Sequence, residues 1–317
     1  MQPGRACPLH YRYAAEALAE APPLECETLY VVGGLYGNEV ALAAIIDRAA
    51  AEPGRATLVF NGDHNWFNVD AAGFRRINDT VLQHVALRGN VETELAQPGG
   101  EAGCGCAYPA WVGDAEVARS NAIMARLRDT SRACPDLTQK LAGLPMYRAA
   151  TVGGVRVAIV HGDAESLAGW GYAQERLRDR AHSKRVGRHF ERANARVIAS
   201  SHTCLPVAAD FDGAPGRCVL INNGAAGMPN FRGTRHGIVT RIALTPARTA
   251  AYGTRLGPVH VEALAVHYDH DAWLRAFVAN WPPGTPAHDS YYDRIAAGPR
   301  YEAHAAVRWR GTMSAAN

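Results

Sequence analysis

Thr57-Leu-Val-Phe-Asn-Gly-Asp-His64 decides the reading of this chain. Four residues of strand character lead through one asparagine into a glycine and an aspartate. A buried strand that stops at Gly62 leaves the Asp63 carboxylate at the strand's C-terminal tip, where open α/β sheets hold ligands and metals. A lone strand-Gly-Asp reads equally well as a turn aspartate. Three further stretches change the balance: Leu87-Arg-Gly-Asn90, Val157-Ala-Ile-Val-His-Gly162 and Val197-Ile-Ala-Ser-Ser-His202. Each is a strand that ends on a metal-ligand side chain. Asp63, Asn90, His161 and His202 supply a carboxylate, an amide oxygen and two imidazoles. That donor set favours Zn, Mn or Fe over Mg or Ca.

The bulk properties are those of a globular protein. The 317 residues are 48% hydrophobic and 20% charged, and the formal charge of +3 is too small to imply a nucleic-acid or membrane partner. Seven cysteines at irregular spacing do not form a disulfide framework, and the first residues contain no apolar run of leader length. No stretch has the apolar length of a membrane span. These features make the cytoplasm the expected compartment.

Outward from the opening stretch, strands alternate with helices. A short helix is expected at 12–20 and otherwise loose chain up to 27. A strand over 28–32 precedes a helix that opens near Asn38. Strand 56–61 is followed by a helix at 73–84, and strand 84–88 leads into Gly89-Asn90. A loop rich in Gly, Cys and Pro spans 96–113. Helices are expected at 115–128 and 136–142, a hairpin at 149–160, and a basic helix at 173–194 whose arginines read as a solvated face. Strands follow at 196–200, 205–210, 217–222, 237–244 and 259–266, then helices at 270–280 and 288–297. Strand–helix alternation that gives way to strand-rich sequence predicts a layered α/β sandwich. The expected organisation is an N-terminal segment 1–27, a domain over 28–266 and a helical tail over 267–317 packed on it.

The order of these motifs resembles the calcineurin-like metallophosphoesterase superfamily over 28–245. The pattern there is Asp-x-His, Gly-Asp-x-x-Asp, Gly-Asn-His-Asp/Glu, an isolated His, and Gly-His-x-His. The resemblance implies a four-layer αββα sandwich, here with a C-terminal helical extension. It also implies hydrolysis of a phosphate ester, a phosphodiester or nucleotide type, through a metal-activated water. The departures fall on one side. Gly34-Leu-Tyr36 stands for Asp-x-His, Gly89-Asn-Val-Glu92 for the Gly-Asn box, and Ser201-His-Thr-Cys204 for Gly-His-x-His. By the family pattern, one metal loses three of its four ligands, while the other keeps Asp63, Asn90, His161 and His202. The resemblance therefore implies one divalent ion per chain.

Other roles follow from position. The family's usual acid is replaced by Val91, which leaves His64 and then Glu92 as candidates for proton transfer. Arg88 is the candidate cation for non-bridging oxygens, with Arg232 and Arg235 behind it. Tyr36 and Cys204 are either extra ligands, substrate contacts or packing. Cys104 and Cys106 bind metal, sense oxidants or pack. Asp163 and Glu165 either orient imidazoles or cap a helix. The substrate expected is a phosphorylated small molecule or nucleotide, and self-association stays open. The competing reading is a catalytically weakened metal- or nucleotide-binding regulatory protein on the same scaffold. A third is a thiol-based sensor built on Cys104, Cys106 and Cys204.

Overall fold

The computed structural model describes residues 2–97, 101–214 and 216–309. Part of the Gly- and Cys-rich loop at 96–113, and the end of the tail beyond 309, lie outside the described residues. Two sheets carry the fold. The first has seven strands in the order β1 (Pro23–Cys26), β5 (Tyr147–Val152), β6 (Val155–Val160), β7 (Val197–Ser200), β9 (Gly216–Asn222), β8 (Val207–Gly213) and β13 (Val307–Arg308). The second has six, in the order β11 (Tyr252–Leu256), β12 (Val259–Val266), β10 (Gly237–Ala243), β2 (Thr28–Val32), β3 (Ala56–Asn61) and β4 (Val85–Leu87).

The layering follows from alternation within the strands. Side chains of a strand point to opposite faces in turn. In β2, Leu29 and Val31 enter the core between the sheets, whereas Tyr30 and Val32 face outward under helices. In β6, Val157 and Ile159 face the other sheet, and Ala158 and Val160 face away. β7 and β9 repeat this with Val197, Ala199, Val219 and Ile221 inside and Ile198 and Leu220 outside. Strands covered on both faces read as unbroken apolar runs, and all five residues of Thr28–Val32 are buried.

Helices α2 (Glu39–Ala50) and α3 (Ala71–Val81) cover the outer face of the six-stranded sheet through Leu42, Ile45, Ile77 and Val81. Helices α1 (Glu16–Glu20) and α7 (Arg180–Arg192) cover the seven-stranded sheet through Leu18, Val186 and Phe190. This is the expected αββα order. A second group caps one end: α4 (Asn90–Ala96), α5 (Asp114–Arg132), α6 (Pro135–Ala142), α8 (His270–Asn280) and α9 (Pro286–Ala297). They share a core with Tyr36, Trp66, Phe67 and Val91. Trp281 pins the tail by donating from Nε1 to the Phe67 carbonyl at 3.0 Å. No helix among the described residues is long and apolar enough to cross a membrane.

Some expectations need correction. The N-terminal segment is not loose throughout, because Pro23–Cys26 adds an edge strand parallel to β5. The tail is not purely helical, because Val307–Arg308 pairs with β8. Residues 252–256 and 90–96 form a strand and a helix that were not expected. The basic region starts with a 3-10 turn at Arg176–Arg178, and α7 begins only at Arg180, where Asp179 accepts from the Ala181 N–H at 2.8 Å. Its arginines are not merely solvated. Arg192 pairs with Glu16 and Glu165, which ties α7 to α1 and to the loop after β6.

One buried ion network joins α2 to the six-stranded sheet. Arg241, 2% exposed, reaches Glu52 at 2.7 Å and Glu262 at 2.9 Å. Removing the cation alone leaves two carboxylates close together and largely dry. Arg241→Ala is expected to lower the unfolding free energy by about 3–5 kcal/mol, read as a lower urea midpoint. An unchanged midpoint would mean that water reaches these carboxylates freely.

Candidate metal centre

The four stretches converge at one end of the sandwich. Asp63 follows β3, Asn90 follows β4, His161 follows β6, and His202 lies two residues past β7. The first two tips belong to one sheet and the last two to the other. Glycine lets them meet. A methyl group on Gly62, which has φ +77°, would lie 2.7 Å from His161 Nδ1. One on Gly89 would run into the Asp63 carboxylate. The glycines of both boxes are thus required by close approach of backbone to ligand side chain.

Hydrogen bonds fix which atom each ligand turns inward. Carbonyl oxygens only accept, so the ring nitrogen facing one must carry the proton. His161 Nδ1 donates to the Asn61 carbonyl at 2.8 Å. Its Nε2 then faces Asp63 Oδ1 at 3.3 Å and Asn90 Oδ1 at 3.2 Å. His202 Nε2 donates to the Cys106 carbonyl at 3.1 Å, leaving Nδ1 at 3.2 Å from His161 Nε2. Asn90 Nδ2 donates to the Cys104 carbonyl at 3.0 Å, which turns its oxygen inward. Two ring nitrogens and two oxygens thus aim their lone pairs at one point. The ligand atoms of Asp63, His161 and His202 all lie within 4.8 Å of one another, and all three residues are buried.

Such a cluster repels itself unless a proton or a cation sits in it. Burial pushes the Asp63 carboxyl up, but the charges and hydrogen bond of the two imidazoles outweigh it and hold the group below the ordinary carboxylate range. Burial pushes His161 down, and Asp63 more than reverses this, so its net direction is up. His202 is pushed down to about 3 by burial and by His161. Asp63 and His161 therefore share a proton that a divalent ion would displace. The donor set fits such an ion: one anion, one amide oxygen and two imidazoles, with the amide and both imidazoles held by an outer hydrogen bond.

Backbone conformation marks the same place. Asp63, His202, Tyr36 and Cys204 have φ of 54°, 40°, 57° and 61°. Non-glycine residues in this region are strained, and such residues gather at functional sites.

The other expected residues separate clearly. Glu92 is fully buried and accepts from the backbone N–H of Asp63 at 2.8 Å, Gly89 at 3.0 Å and His64 at 3.1 Å. Its carboxylate closes the first turn of α4 and holds the Gly62-Asp63 turn. His64 is buried on the side away from the cluster, 3.5 Å from Glu92, with no hydrogen-bond partner on either ring nitrogen. Arg88 donates to the Ala142 carbonyl and does not face the cluster. Arg232 and Arg235 pair with Glu302 and Asp271 at the surface. Asp163 accepts from Glu165 and Gly171 N–H and so shapes its own loop. Glu165 binds Arg185 and Arg192.

Tyr36 and Cys204 are brought together. The phenol and thiol lie 3.1 Å apart beside Asp63. Burial pushes both groups above their usual ranges, so both stay protonated at neutral pH. The carbonyls of Cys104 and Cys106 orient Asn90 and His202, and the Cys106 thiol, 3.6 Å from Asn90 Nδ2, also lines the chamber. A backbone acceptor has no side-chain signature, so these carbonyl contacts were not legible beforehand. Sequence reasoning also missed the roof: Trp66, Tyr108, Trp170 and Tyr291 line a half-open cavity beside the cluster. Trp170 donates from Nε1 to the Cys106 carbonyl at 2.9 Å and lies edge-on to His202.

No family profile and no curated protein matches the chain. Solved structures do. A metallophosphoesterase from Sphaerobacter thermophilus is 16% identical with a TM-score of 0.54, covering 86% of this chain and 100% of its own. A hypothetical protein from Pyrococcus horikoshii OT3 is 14% identical with a TM-score of 0.57, covering 86% and 99%. At this identity the likeness establishes the fold.

If Glu92 is a cap, Glu92→Gln places an amide N–H₂ among three N–H donors. The expected result is a loss of about 1–3 kcal/mol in stability, seen in urea unfolding, together with weaker metal retention on dialysis. Full stability with an altered pH–rate profile would restore Glu92 to proton transfer.

Proposed function

We propose that this chain, which has the metallophosphoesterase fold, hydrolyses a phosphate ester at a centre holding one divalent transition metal. The carrying observation is the convergence of His161 Nε2, His202 Nδ1, Asp63 Oδ1 and Asn90 Oδ1, with the outward-facing nitrogens of both imidazoles and of the amide bonded elsewhere. A divalent ion there would polarise a phosphoryl oxygen and acidify a water. The chain's own groups do the rest. Asp63 supplies the one anion at the centre. Three phenols, Tyr36, Tyr108 and Tyr291, line the chamber as neutral donors, each held protonated by burial. Neutral donors can stabilise charge that develops on non-bridging oxygens.

The count of one rests on the Tyr36–Cys204 pair, which fills the place where the family pattern has ligands for a second ion. Among the described residues, the only group of three or more His, Cys, Asp or Glu able to hold a metal is Asp63, His161 and His202. Proton transfer has no assigned side chain in this reading, because His64 and Glu92 face away from the chamber. That gap favours a second reading, a regulatory protein that binds metal without turnover.

Metal analysis of purified protein is expected to give one Zn, Mn or Fe per chain, lost in His161→Ala. Metal-dependent cleavage of bis(p-nitrophenyl) phosphate that disappears in Asp63→Asn supports the enzyme. One metal per chain with no cleavage across a phosphoester panel supports the binding protein. Two metals per chain contradict the single-ion centre.

Metal binding must also displace the proton on His161. Because that imidazole's range is raised by Asp63, affinity should fall as pH falls through it and plateau above it. Titration calorimetry in two buffers of different ionisation enthalpy would show the released proton. Affinity flat across this range would mean that His161 is not a ligand.

A further inference from the structure

We propose that His236 and His267 form a second metal site, a two-imidazole chelate on the surface that takes a late first-row divalent ion, copper(II) before nickel or zinc. It stands apart from the centre at Asp63, since neither residue lines the cavity there.

The first observation is register. Strands β10 and β12 are antiparallel, and Gly237 lies opposite Val266 at one end of the pairing. One step beyond that end, His236 stands opposite His267. Side chains directly opposite each other leave the same face of a sheet, with Cβ atoms about 4.5–5.5 Å apart. Pairing continues without a break from Gly237 to Ala243, so the two histidines sit on a rigid support, as a metal site requires. The second observation is spacing. The ring centres lie 5.0 Å apart. Two imidazoles that share one ion at about 2.0–2.1 Å and an angle of roughly 90–110° have ring centres roughly 4.5–5.3 Å apart. The rings of His161 and His202, which turn nitrogens toward one point, are also 5.0 Å apart.

The third observation is that the lone pairs are free. Among the described residues, no hydrogen bond or ion pair takes a nitrogen of either ring. The rings of His182, His189 and His270 are by contrast bonded to Gly171, Tyr172 and Ile295. Burial and the neighbouring His267 hold His236 below the ordinary histidine range, so its ring is neutral and able to ligate at neutral pH. Arg235, next in the chain, is paired with Asp271 at 3.7 Å. His267 is exposed and His236 half-buried, so water completes the coordination shell. With two neutral nitrogen ligands and no protein anion, affinity follows the general order of divalent ions, which puts copper(II) first.

The test is a titration of the full chain with copper(II) chloride in a non-coordinating buffer at neutral pH, followed by calorimetry and by the histidine ring signals in NMR. Copper taken up at Asp63 is common to every protein compared and cancels. In the wild type, the His236 and His267 signals are expected to broaden together at the same copper ratio. His236→Ala and His267→Ala should each weaken this binding event at least about tenfold, with unchanged urea midpoints. The double variant should bind no more than about twofold more weakly than either single one, because one substitution already breaks the chelate. His304→Ala, at another exposed histidine, should change nothing. Additive losses, as for two unlinked imidazoles, overturn the proposal. So does unchanged affinity in either single variant, or broadening of the two wild-type rings at different copper ratios.

Discussion

Four lone pairs point at each other across the gap between two sheets, and the rest of the centre exists to keep them there. The outer side of three of these side chains is spent on a fixed partner, Asn61 for His161, Cys106 for His202 and Cys104 for Asn90, while the Val91 N–H bonds the same Asp63 Oδ1 that faces His161. Deflecting a ligand would leave a buried polar group unpaired, which costs more than the bond itself contributes. The strained φ values at Asp63 and His202 are therefore held by surrounding hydrogen bonds and packing rather than by local preference. The same constraint explains Gly62 and Gly89, since the tips can approach only where no Cβ intervenes.

The ground on the Tyr36 side of Asp63 is neutral. A second divalent ion there would need anions to balance it, and among the described residues lining the cavity Asp63 is the one carboxylate. Gly34 has no side chain, and Tyr36 and Cys204 bond to each other as neutral groups. A cation placed there without an acidic partner would be a stranded buried charge. The aromatic packing that reaches from Tyr36 through Phe67 to Phe277 and Tyr291 extends the helical cap onto this neutral ground.

Much of the sandwich was legible because burial on two faces writes itself into composition. Runs such as Thr28–Val32 and Val155–Val160 carry that signal, and their ends fix where ligands must sit. Edge elements carry little of it. Pro23–Cys26 and Val307–Arg308 are short and half-exposed, and only pairing with β5 and β8 makes them strands. Tyr252–Leu256 alternates in burial, so its period was present but brief. Glu92 was legible in principle, because a glutamate three residues past Gly89 is an N-terminal helix signal. It was instead weighed as a catalytic acid or base. Cys104 and Cys106 drew attention as thiols, yet the atoms that orient the ligands are their carbonyls, and no residue type announces a carbonyl.

The roof sets the surroundings in which the centre works. Aromatic walls lower the local dielectric, which strengthens every interaction with a charge beside them. The bonds that hold Trp170 are modest: one hydrogen bond to Cys106, a tilted contact with Tyr108 and edge contacts with Trp111 and His202. At about 1 kcal/mol for the hydrogen bond and about 0.5–1.5 kcal/mol for each aromatic contact, they sum to on the order of 3–5 kcal/mol, which keeps the wall beside His202 in place.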